Sequence, residues 1–224
     1  MDSETTDLNH HVEIDLSGLV FCVCQGQEQF AQVLKCRWRG YKKYGFASPD
    51  DCRDEFDERA IHYLCKDSSS NEILGCLRML SKFNGKLELE SFVAISDWAT
   101  ENVNPAELTR FSVPISKRSV AIKFGLWKLA WLDAVRRGHT HFVIWTRKEA
   151  RRNYDMLGFD FLLGKENFFS HPVLGGYPHM VMALDIINAR HEYRERRPVL
   201  HKFFCETFHP NIVLDGVVSA NGGV

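Results

Sequence analysis

The chain has 224 residues, of which 45% are hydrophobic and 25% are charged, and its formal net charge is −1. This length suits one large domain, and the near-neutral charge argues against a general nucleic-acid binder. The seven cysteines are scattered and form no C-x-x-C pair, so we expect neither a zinc site nor a disulfide framework. Reduced thiols and the lack of a signal-peptide pattern predict a cytoplasmic protein without stable membrane association.

The first half of the chain predicts strands around one helix. The apolar, β-prone "LVFCVCQ" predicts a first strand. In "QEQFAQVLKCRWRGYKKYG" the apolar residues recur at helical spacing, and Gly45 can end the helix. "AIHYLCK" and "EILGCLRML" predict two antiparallel strands around the turn-rich "DSSSN", and "AELTRFSV" predicts a later strand.

The second half predicts alternating helices and strands. Apolar residues from Val120 to Ala134 mark an amphipathic helix that Gly138 can end. "THFVIWT" predicts a strand, "KEARRNYDML" a short helix ending at Gly158, "FDFLL" and "HMVMALDI" further strands, and "ARHEYRERRP" a charged helix. The pattern predicts one α/β domain over residues 19–213, after a polar extension (1–18) and before a flexible tail (214–224).

The strand "NPAELTRFSVP" carries two charges that a buried strand does not normally hold. Side chains alternate along a strand, so Glu107 and Arg110 are expected on opposite faces. A β-bulge brings both toward one face, and bulges are frequent beside active sites. We therefore predict a bulge in this strand, with an exposed edge strand as the alternative.

Three other stretches are candidates for a site. Arg37, Tyr41 and Phe46 can form a cationic and aromatic pocket, or they can belong to a helix with one core face and one solvated face. Asp54 and Asp57 are three residues apart and face the same way in a helical turn, unless "DEFDE" is a solvated acidic loop.

Arg78 lies in the otherwise apolar strand "GCLRML". An unpaired charge there is costly, and the carboxylates available as partners are Asp54, Asp57 and Glu107. No histidine stands at ligand spacing near the aspartates, so no metal is expected.

Taken in order, these stretches resemble the LuxI-type acyl-homoserine-lactone synthases and the related N-acyl amino acid synthases. The matching motifs are Arg37 with Tyr41, "DEFD", "GCLRML" and "ELTRF", followed by "HFVIWTRKEARRNYDMLGF" and "GGYPHMVMALDI". The resemblance covers roughly residues 19 to 187. It implies a single N-acetyltransferase-like domain in which a mixed central sheet is flanked by helices. In that fold the bulged fourth strand lies beside a cleft for a pantetheine arm.

The resemblance implies transfer of a fatty acyl group from a thioester to the amine of S-adenosylmethionine, with closure to a lactone and no cofactor. Glu107, Arg110 and Arg78 are implied as catalytic residues, with Glu107 as the base. Arg37, Tyr41, Phe46, Asp54 and Asp57 are implied to bind the acceptor. The implied donor-binding residues are Ser112, Val113, Lys117, Arg118, Thr146, Arg147 and Arg151.

The donor is expected to be an acyl carrier protein, or acyl-CoA. Carrier proteins are acidic, and the segment 117–152 holds ten basic residues against Asp133 and Glu149. The alternative is that these charges lie on solvated helix faces. Phe124, Trp127, Trp131 and Trp145 can line an acyl tunnel or belong to the core.

Three other functions remain open. An N-acyl amino acid synthase uses a free amino acid as acceptor and forms no lactone. A regulatory protein on the same scaffold binds an acyl group without catalysis, although the joint presence of the five charged residues at positions 54, 57, 78, 107 and 110 disfavours this. An acetyl-CoA enzyme is disfavoured because "ISKRSVAIKFG" lacks the R/Q-x-x-G-x-G/A loop.

Overall fold

A computed structural model describes residues 14–164, 167–170 and 176–214. The strands are β1 (Leu19–Val23), β2 (Ile61–Asp67), β3 (Ile73–Ser81), β4 (Pro105–Ser112), β5 (His141–Arg147), β6 (Asp160–Phe161), β7 (Phe169–Ser170), β8 (Pro178–Asp185) and β9 (Ile212–Val213). The helices are α1 (Gly26–Tyr41), α2 (Ser119–Arg136), α3 (Arg151–Asp155), α4 (Ile186–Arg196) and α5 (Pro198–His201), which continues into a π-helical turn (Lys202–Glu206). Short 3-10 turns lie at Lys42–Tyr44, Asp50–Cys52, Asp57–Arg59, Lys82–Asn84, Leu89–Ser91 and Lys148–Ala150.

In the described ranges, nine strands form one mixed sheet. Its order is β6-β8-β5-β4-β3-β2-β1-β9, and β7 pairs with β8. Neighbours from β1 to β4 are antiparallel, whereas β4 is parallel to β5 and β1 is parallel to β9. The predicted fold class is confirmed. The edge-strand alternative for "AELTRFSV" is wrong, because β4 lies inside the sheet between β3 and β5.

The two faces of the sheet are covered differently. On one face α2, α4 and α5 pack on the main core, where Gly125 lies so close to Phe21 that a Cβ would stand 2.1 Å from the ring. On the other face α1 packs on β2 and β3 through Val33, Cys36 and Cys76. The connection between β3 and β4 covers the rest of this second face with a smaller apolar cluster that includes Leu80 and Leu89.

Strand β4 carries the predicted bulge at Arg110. Cys76 pairs with Ser112 and Arg78 with Thr109, so β4 has one residue more than β3 between these pairs. Arg110 takes a left-handed backbone conformation with φ 51°, which is uncommon for a residue with a side chain. The bulge brings the Arg110 side chain to the face of the sheet that α1 covers. The side chains of Glu107 and Thr109 lie on the same face.

The sheet opens between β4 and β5. The two strands pair only over residues 105–107 and 141–143. Beyond that point β4 stays paired with β3, and β5 stays paired with β8 as far as Arg147. We call the gap between residues 108–112 and 144–147 the β4–β5 cleft. Its two backbone edges form no ladder with each other.

Some predicted elements differ in length from the observed ones. "FDFLL" contributes only the two residues of β6, because the chain turns away from β8 after Leu162. Leu16 is buried in the main core, so the end of the predicted extension packs on the domain. Residues 1–13 of that extension and residues 215–224 of the predicted tail lie outside the described residues. No helix in the described ranges combines the length and apolar composition needed to cross a membrane.

Candidate active site

Most of the charged residues predicted from the motifs meet on the α1 face, beside the β4–β5 cleft. They form a group that we call the charge network, and its members are Arg37, Asp54, Asp57, Arg78, Glu88 and Arg110. Three positive charges thus meet three negative charges.

Arg78 is the centre of the charge network. Its side chain is completely buried, and its Nη1 donates to Asp54 Oδ1 at 2.6 Å and to Asp57 Oδ1 at 2.9 Å. Its Nη2 donates to Glu88 Oε2 at 2.5 Å, and its Nε donates to Thr109 Oγ1 at 2.9 Å. All three nitrogens of the buried guanidinium therefore have partners, as a buried charge requires.

Arg110 and Asp54 form the edge of the network that reaches solvent. Arg110 Nη2 donates to Asp54 Oδ2 at 2.5 Å and to Glu88 Oε1 at 2.8 Å. The Arg110 side chain is 11% exposed and the Asp54 side chain is 22% exposed, whereas Asp57 and Arg78 are buried. A ligand entering from solvent therefore meets Asp54 and Arg110 first.

The arginines keep both aspartates ionised. Burial alone would raise the pKa of Asp54, but the charges of Arg78 and Arg110 outweigh it and lower the pKa to about 2. Burial opposes ionisation of Asp57 as well, and Arg37 and Arg78 hold its pKa below the usual value.

Arg37 lies beneath the network and does not face solvent. Its Nη1 donates to both carboxylate oxygens of Asp57 at 2.9 and 3.0 Å and to the Cys52 carbonyl at 3.3 Å. Its Nη2 contacts His62 Nδ1 at 3.0 Å. Burial and the charge of Arg37 lower the pKa of His62 to about 4, so this histidine is neutral at pH 7. In this structure Arg37 binds and orients Asp57, and its implied contact with the acceptor stays a prediction.

Glu88 is a member of the network that the sequence reasoning missed. It lies in the connection between β3 and β4 and is 4% exposed. Its two oxygens accept separately from Arg78 and Arg110. The signal was a single glutamate between two leucines in "KLELES", a pattern that also suits an exposed turn.

Glu107 is completely buried next to the network. Its carboxyl oxygens accept from the backbone N–H of Leu89 at 3.2 and 3.3 Å. Burial and the nearby charge of Glu88 raise the pKa of Glu107 to about 8. The carboxyl is therefore mainly protonated at neutral pH. Glu107 stands in the last pair of the β4–β5 ladder, where the two strands part. Unlike Asp54 and Arg110, it does not reach solvent.

The aromatic residues at the end of α1 lie near the cleft. The Tyr41 and Phe46 rings are 5.8 Å apart, and burial raises the pKa of Tyr41 to about 12. Tyr44 accepts a hydrogen bond from Arg147 Nη1 at 3.1 Å, and the Arg147 guanidinium lies 4.9 Å from the centre of the Tyr177 ring. This contact joins the end of α1 to the end of β5.

Only four of the seven predicted donor-binding residues lie along the cleft strands or at their ends. Thr146 and Arg147 lie on the β5 side of the cleft, while Ser112 and Val113 end the β4 side. The Ser112 hydroxyl donates to the Cys36 carbonyl at 3.0 Å, so it is occupied by α1. Three more residues of the set lie outside the cleft strands: Lys117 is exposed, Arg118 binds Asp67 at 2.9 Å, and Arg151 binds Asp155 at 3.0 Å.

The basic surplus of segment 117–152 does not form one surface. Lys128 is buried and donates to the carbonyls of Phe203 and Thr207, and burial lowers its pKa to about 8. Arg136 and Arg137 both bind the buried carboxylate of Asp133 at 2.9 Å. Counting all ten residues as docking surface was therefore wrong. Lys148 and Arg152 are exposed near the β5 side of the cleft.

The four aromatics considered for an acyl tunnel do not line one space. Phe124, Trp127 and Trp131 pack in the main core on the α2 face. Trp145 instead stacks on Phe92 at 5.5 Å, against the connection that covers the other face. The core interpretation thus holds for the three α2 residues.

Two further features bear on what this site can hold. Among the described residues, no group of three or more His, Cys, Asp or Glu side chains is arranged to hold a metal ion. A cavity of about 410 Å³ lies on the outer side of α1, lined in part by Trp38, Arg39 and Glu72. None of its lining residues belongs to the charge network.

Comparisons with known proteins agree with the fold. The model of the acetyltransferase (GNAT) domain matches residues 36–128. FeeM, an N-acyl amino acid synthase from uncultured soil microbes, superposes with a TM-score of 0.64 at 15% identity. The superposition covers 77% of this chain and 94% of the FeeM chain. BjaI, a CoA-dependent acyl-homoserine lactone synthase solved with MTA, has a TM-score of 0.61 at 17% identity, covering 89% and 95%.

LasI, an acyl-homoserine lactone synthase, has a TM-score of 0.56 at 12% identity, covering 75% of this chain and 90% of its own. No curated protein matches the sequence significantly. The chain therefore has the N-acetyltransferase (GNAT) fold. Its structural neighbours include both groups of synthases that the sequence resembles.

Proposed function

We propose that this protein is an acyltransferase that moves a fatty acyl group from an acyl carrier protein to the amine of S-adenosylmethionine, forming an N-acyl-homoserine lactone. The observation that supports this most is the position of the bulge. Arg110 leaves the β4 ladder where the sheet opens, and it joins a network whose open edge carries a carboxylate. The site thus offers a slot for an extended donor next to a charged position for an acceptor.

The cleft suits a donor arm with peptide-like amides. Extended chains bind to free strand edges through backbone hydrogen bonds, and the two unpaired edges of β4 and β5 offer such bonds. A bulge leaves backbone N–H groups without ladder partners, and in the proposed mechanism such a group at the bulge stabilises the negative charge that develops on the thioester oxygen.

The open edge of the charge network suits a cationic acceptor. Asp54 is ionised and partly exposed, so it can hold the ammonium or the sulfonium of S-adenosylmethionine. Arg110 lies beside it and is the only arginine of the described network with an exposed side-chain fraction above a tenth, so it is placed to orient the acceptor carboxylate. Arg37 and Asp57 act beneath them by fixing the position of Arg78.

Glu107 is the proposed base, acting through a water molecule. The acceptor amine must lose a proton to attack, and only ionised Glu107 can accept it. With a pKa of about 8, roughly a tenth of Glu107 is ionised at pH 7, and this fraction acts as the base. The amine nitrogen then bonds to the thioester carbon and the thiolate leaves. In the second step the acceptor carboxylate bonds to its own γ-carbon, and methylthioadenosine leaves with the electron pair of the broken C–S bond.

The test is to incubate the purified protein with acyl carrier protein thioesters and S-adenosylmethionine, and to measure both methylthioadenosine release and product mass. We expect stoichiometric release and a lactone product. Asp54→Asn should raise the KM for S-adenosylmethionine, because it removes the charge at the open edge. Asp51→Asn is the matched control, since Asp51 lies in the same loop and its carboxylate accepts from the backbone N–H groups of Ala47 and Ser48.

An N-acyl amino acid synthase is the second candidate, supported by the TM-score of 0.64 to a synthase of that kind. It predicts an N-acyl amino acid product and no methylthioadenosine. Acyl thioester binding without turnover of either acceptor would contradict both candidates and favour a regulatory protein.

A further inference from the structure

One turn between β3 and β4 contacts both charged residues of the bulged strand. Residues 87–91 form this turn, and the Glu88 side chain reaches Arg110 while the backbone N–H of Leu89 reaches Glu107. Glu107 and Arg110 are three residues apart, and only the bulge lets both address the face that the turn covers. The turn and the bulge therefore form one unit.

Burial and two ion pairs fix the Glu88 side chain in one position. It is almost completely buried, and its two oxygens are used by different arginines at 2.5 and 2.8 Å. Removing its charge would leave Arg37, Arg78 and Arg110 opposite two carboxylates. Arg110 would then keep one carboxylate partner, Asp54, which is itself at the exposed edge.

Glu88 also brings a negative charge next to Glu107, because the N–H of the following residue, Leu89, binds the Glu107 carboxyl. The charged groups that face Glu107 are Glu88 from the turn and Arg78 from β3, while β5 presents the apolar Val143 at the paired position. A like charge beside a buried carboxyl favours the protonated form. Removal of the Glu88 charge takes away one of the two causes that favour protonated Glu107, so its pKa should fall, although burial still opposes ionisation.

We infer that Glu88 is a positioning residue of the transfer reaction, which fixes the Arg110 side chain at the open edge and places a negative charge beside Glu107. This inference rests on the proposed function, in which Glu107 receives the proton of the acceptor amine. Glu88 itself does not touch the reacting atoms. Its two effects are separable, because one depends on the reach of the side chain and the other on its charge.

The test compares Glu88→Gln, which keeps the shape and removes the charge, with Glu88→Asp, which keeps the charge and shortens the reach. Glu90→Gln is the matched control, because Glu90 lies in the same turn but binds Lys82 and the N–H of Leu87. Glu107 is titrated by NMR in protein carrying ¹³C-labelled glutamate, with Glu107→Gln used to assign its signal. Activity is measured as kcat and KM against pH.

We expect Glu88→Gln to move the Glu107 titration and the acidic limb of kcat/KM together to lower pH, by about 1 or more on the pH scale. Glu88→Asp should keep both near the wild-type position. Both variants should lower kcat by up to about 10²-fold, since Arg110 is no longer held in place. Glu90→Gln should change none of these quantities.

An unchanged Glu107 titration in Glu88→Gln would overturn the inference. So would a lower melting temperature with unchanged kcat, because that result assigns Glu88 a structural role only. If the titration moves but no variant, including the wild type, transfers an acyl group, then the proposed function fails while the control of the Glu107 proton by Glu88 stands.

Discussion

Glu107 combines complete burial with a position at the origin of the β4–β5 cleft. A carboxyl in such surroundings is costly to ionise, so a purely structural glutamate there has no evident advantage over glutamine. A base needs the opposite property, a pKa close to the working pH. At the residue scale, the raised pKa of Glu107 supports the proposed base over a packed ion-pair cluster.

Glu107→Gln should reduce the rate of acyl transfer by roughly 10²–10⁴, the usual contribution of general base catalysis. The amide keeps the shape and can still accept the N–H of Leu89. Part of the loss should be recovered at higher pH, where more of the acceptor amine is already deprotonated. Single-turnover rates and melting temperatures are measured on one sample, and a stable variant with near-normal turnover would remove Glu107 from the mechanism.

The same substitution should change how stability depends on pH. The Glu107 pKa is raised from the usual 4.5 to about 8, so the folded state holds the proton that the unfolded state releases in this window. Its contribution to stability is therefore lost as pH rises from about 4.5 to about 8. Glu107→Gln should flatten the wild-type fall in the free energy of unfolding across this window. Urea denaturation at several pH values checks this, and parallel curves for the two proteins would contradict the raised pKa.

Substitution of Arg37 distinguishes a structural role from a role in acceptor binding, because the first affects stability and the second affects the acceptor KM. Arg37 is buried and paired with Asp57, so Arg37→Met should lower the free energy of unfolding by about 3 kcal/mol, because the buried carboxylate loses one of its two arginine partners. The KM for the acceptor should change little, whatever fraction of the protein is folded. A stable variant with a strongly raised acceptor KM would instead support the implied contact with a ligand carboxylate.

At the scale of elements, the site depends on how closely α1 lies on the bulged end of β4. The contact is made by Gly40 and Ser112, because a Cβ on Gly40 would stand 2.6 Å from Ser112 Oγ. The Ser112 hydroxyl in turn binds the Cys36 carbonyl of α1. Alternation along β4 and the bulge thus bring α1, β3 and the turn at 87–91 to one short stretch of strand.

Gly40→Ala should destabilise the protein by about 1–3 kcal/mol, as overpacking of a close contact does, although alanine favours a helix. In a Ser112→Ala background the same change should cost clearly less, since the clashing oxygen is gone and Ser112 Cβ lies 3.6 Å away. A double-mutant cycle by urea denaturation measures this coupling. Additive effects would show that the helix and strand do not compete for this space.

At the scale of the whole molecule, the sheet separates two tasks. The main core with α2, α4 and α5 occupies one face and supplies stability, with Lys128 buried among the backbone carbonyls of the C-terminal turn. The charge network occupies the other face, and the cleft connects the network to the edge of the domain where Lys148 and Arg152 are exposed. An acidic carrier protein is expected to dock at that edge.

Reversing the charges of Arg147, Lys148, Arg151 and Arg152 to glutamate should raise the KM for acyl carrier protein and leave the acceptor KM nearly unchanged. It should also weaken the dependence of that KM on salt, because exposed charges steer association and are screened by salt. Lys148→Glu with Arg152→Glu is the more selective pair, because Arg147 and Arg151 also have partners inside the protein. Arg190→Glu with Arg194→Glu on α4 is the control of equal charge, and equal effects of the two pairs would exclude docking at the cleft edge.

The local elements could be predicted from the sequence alone. Periodicity and turn residues marked α1, α2 and the strands β2 to β5, since these depend on contacts within a few residues. The two charges in "AELTRF" were enough to predict the bulge, because a regular strand would place Glu107 and Arg110 on opposite faces of the sheet. The order of the motifs along the chain then predicted the fold through the family resemblance.

Tertiary structure alone decided which charges meet and which face solvent. Arg110 binds Asp54 and Glu88, which are 56 and 22 residues away along the chain, so no local pattern identifies these pairs. Glu88 looked like an exposed turn residue and Lys128 like a surface charge, yet both are buried. The physical reason is that burial depends on the path of distant segments, and a charge becomes stable inside the protein only where that path brings its partners to it.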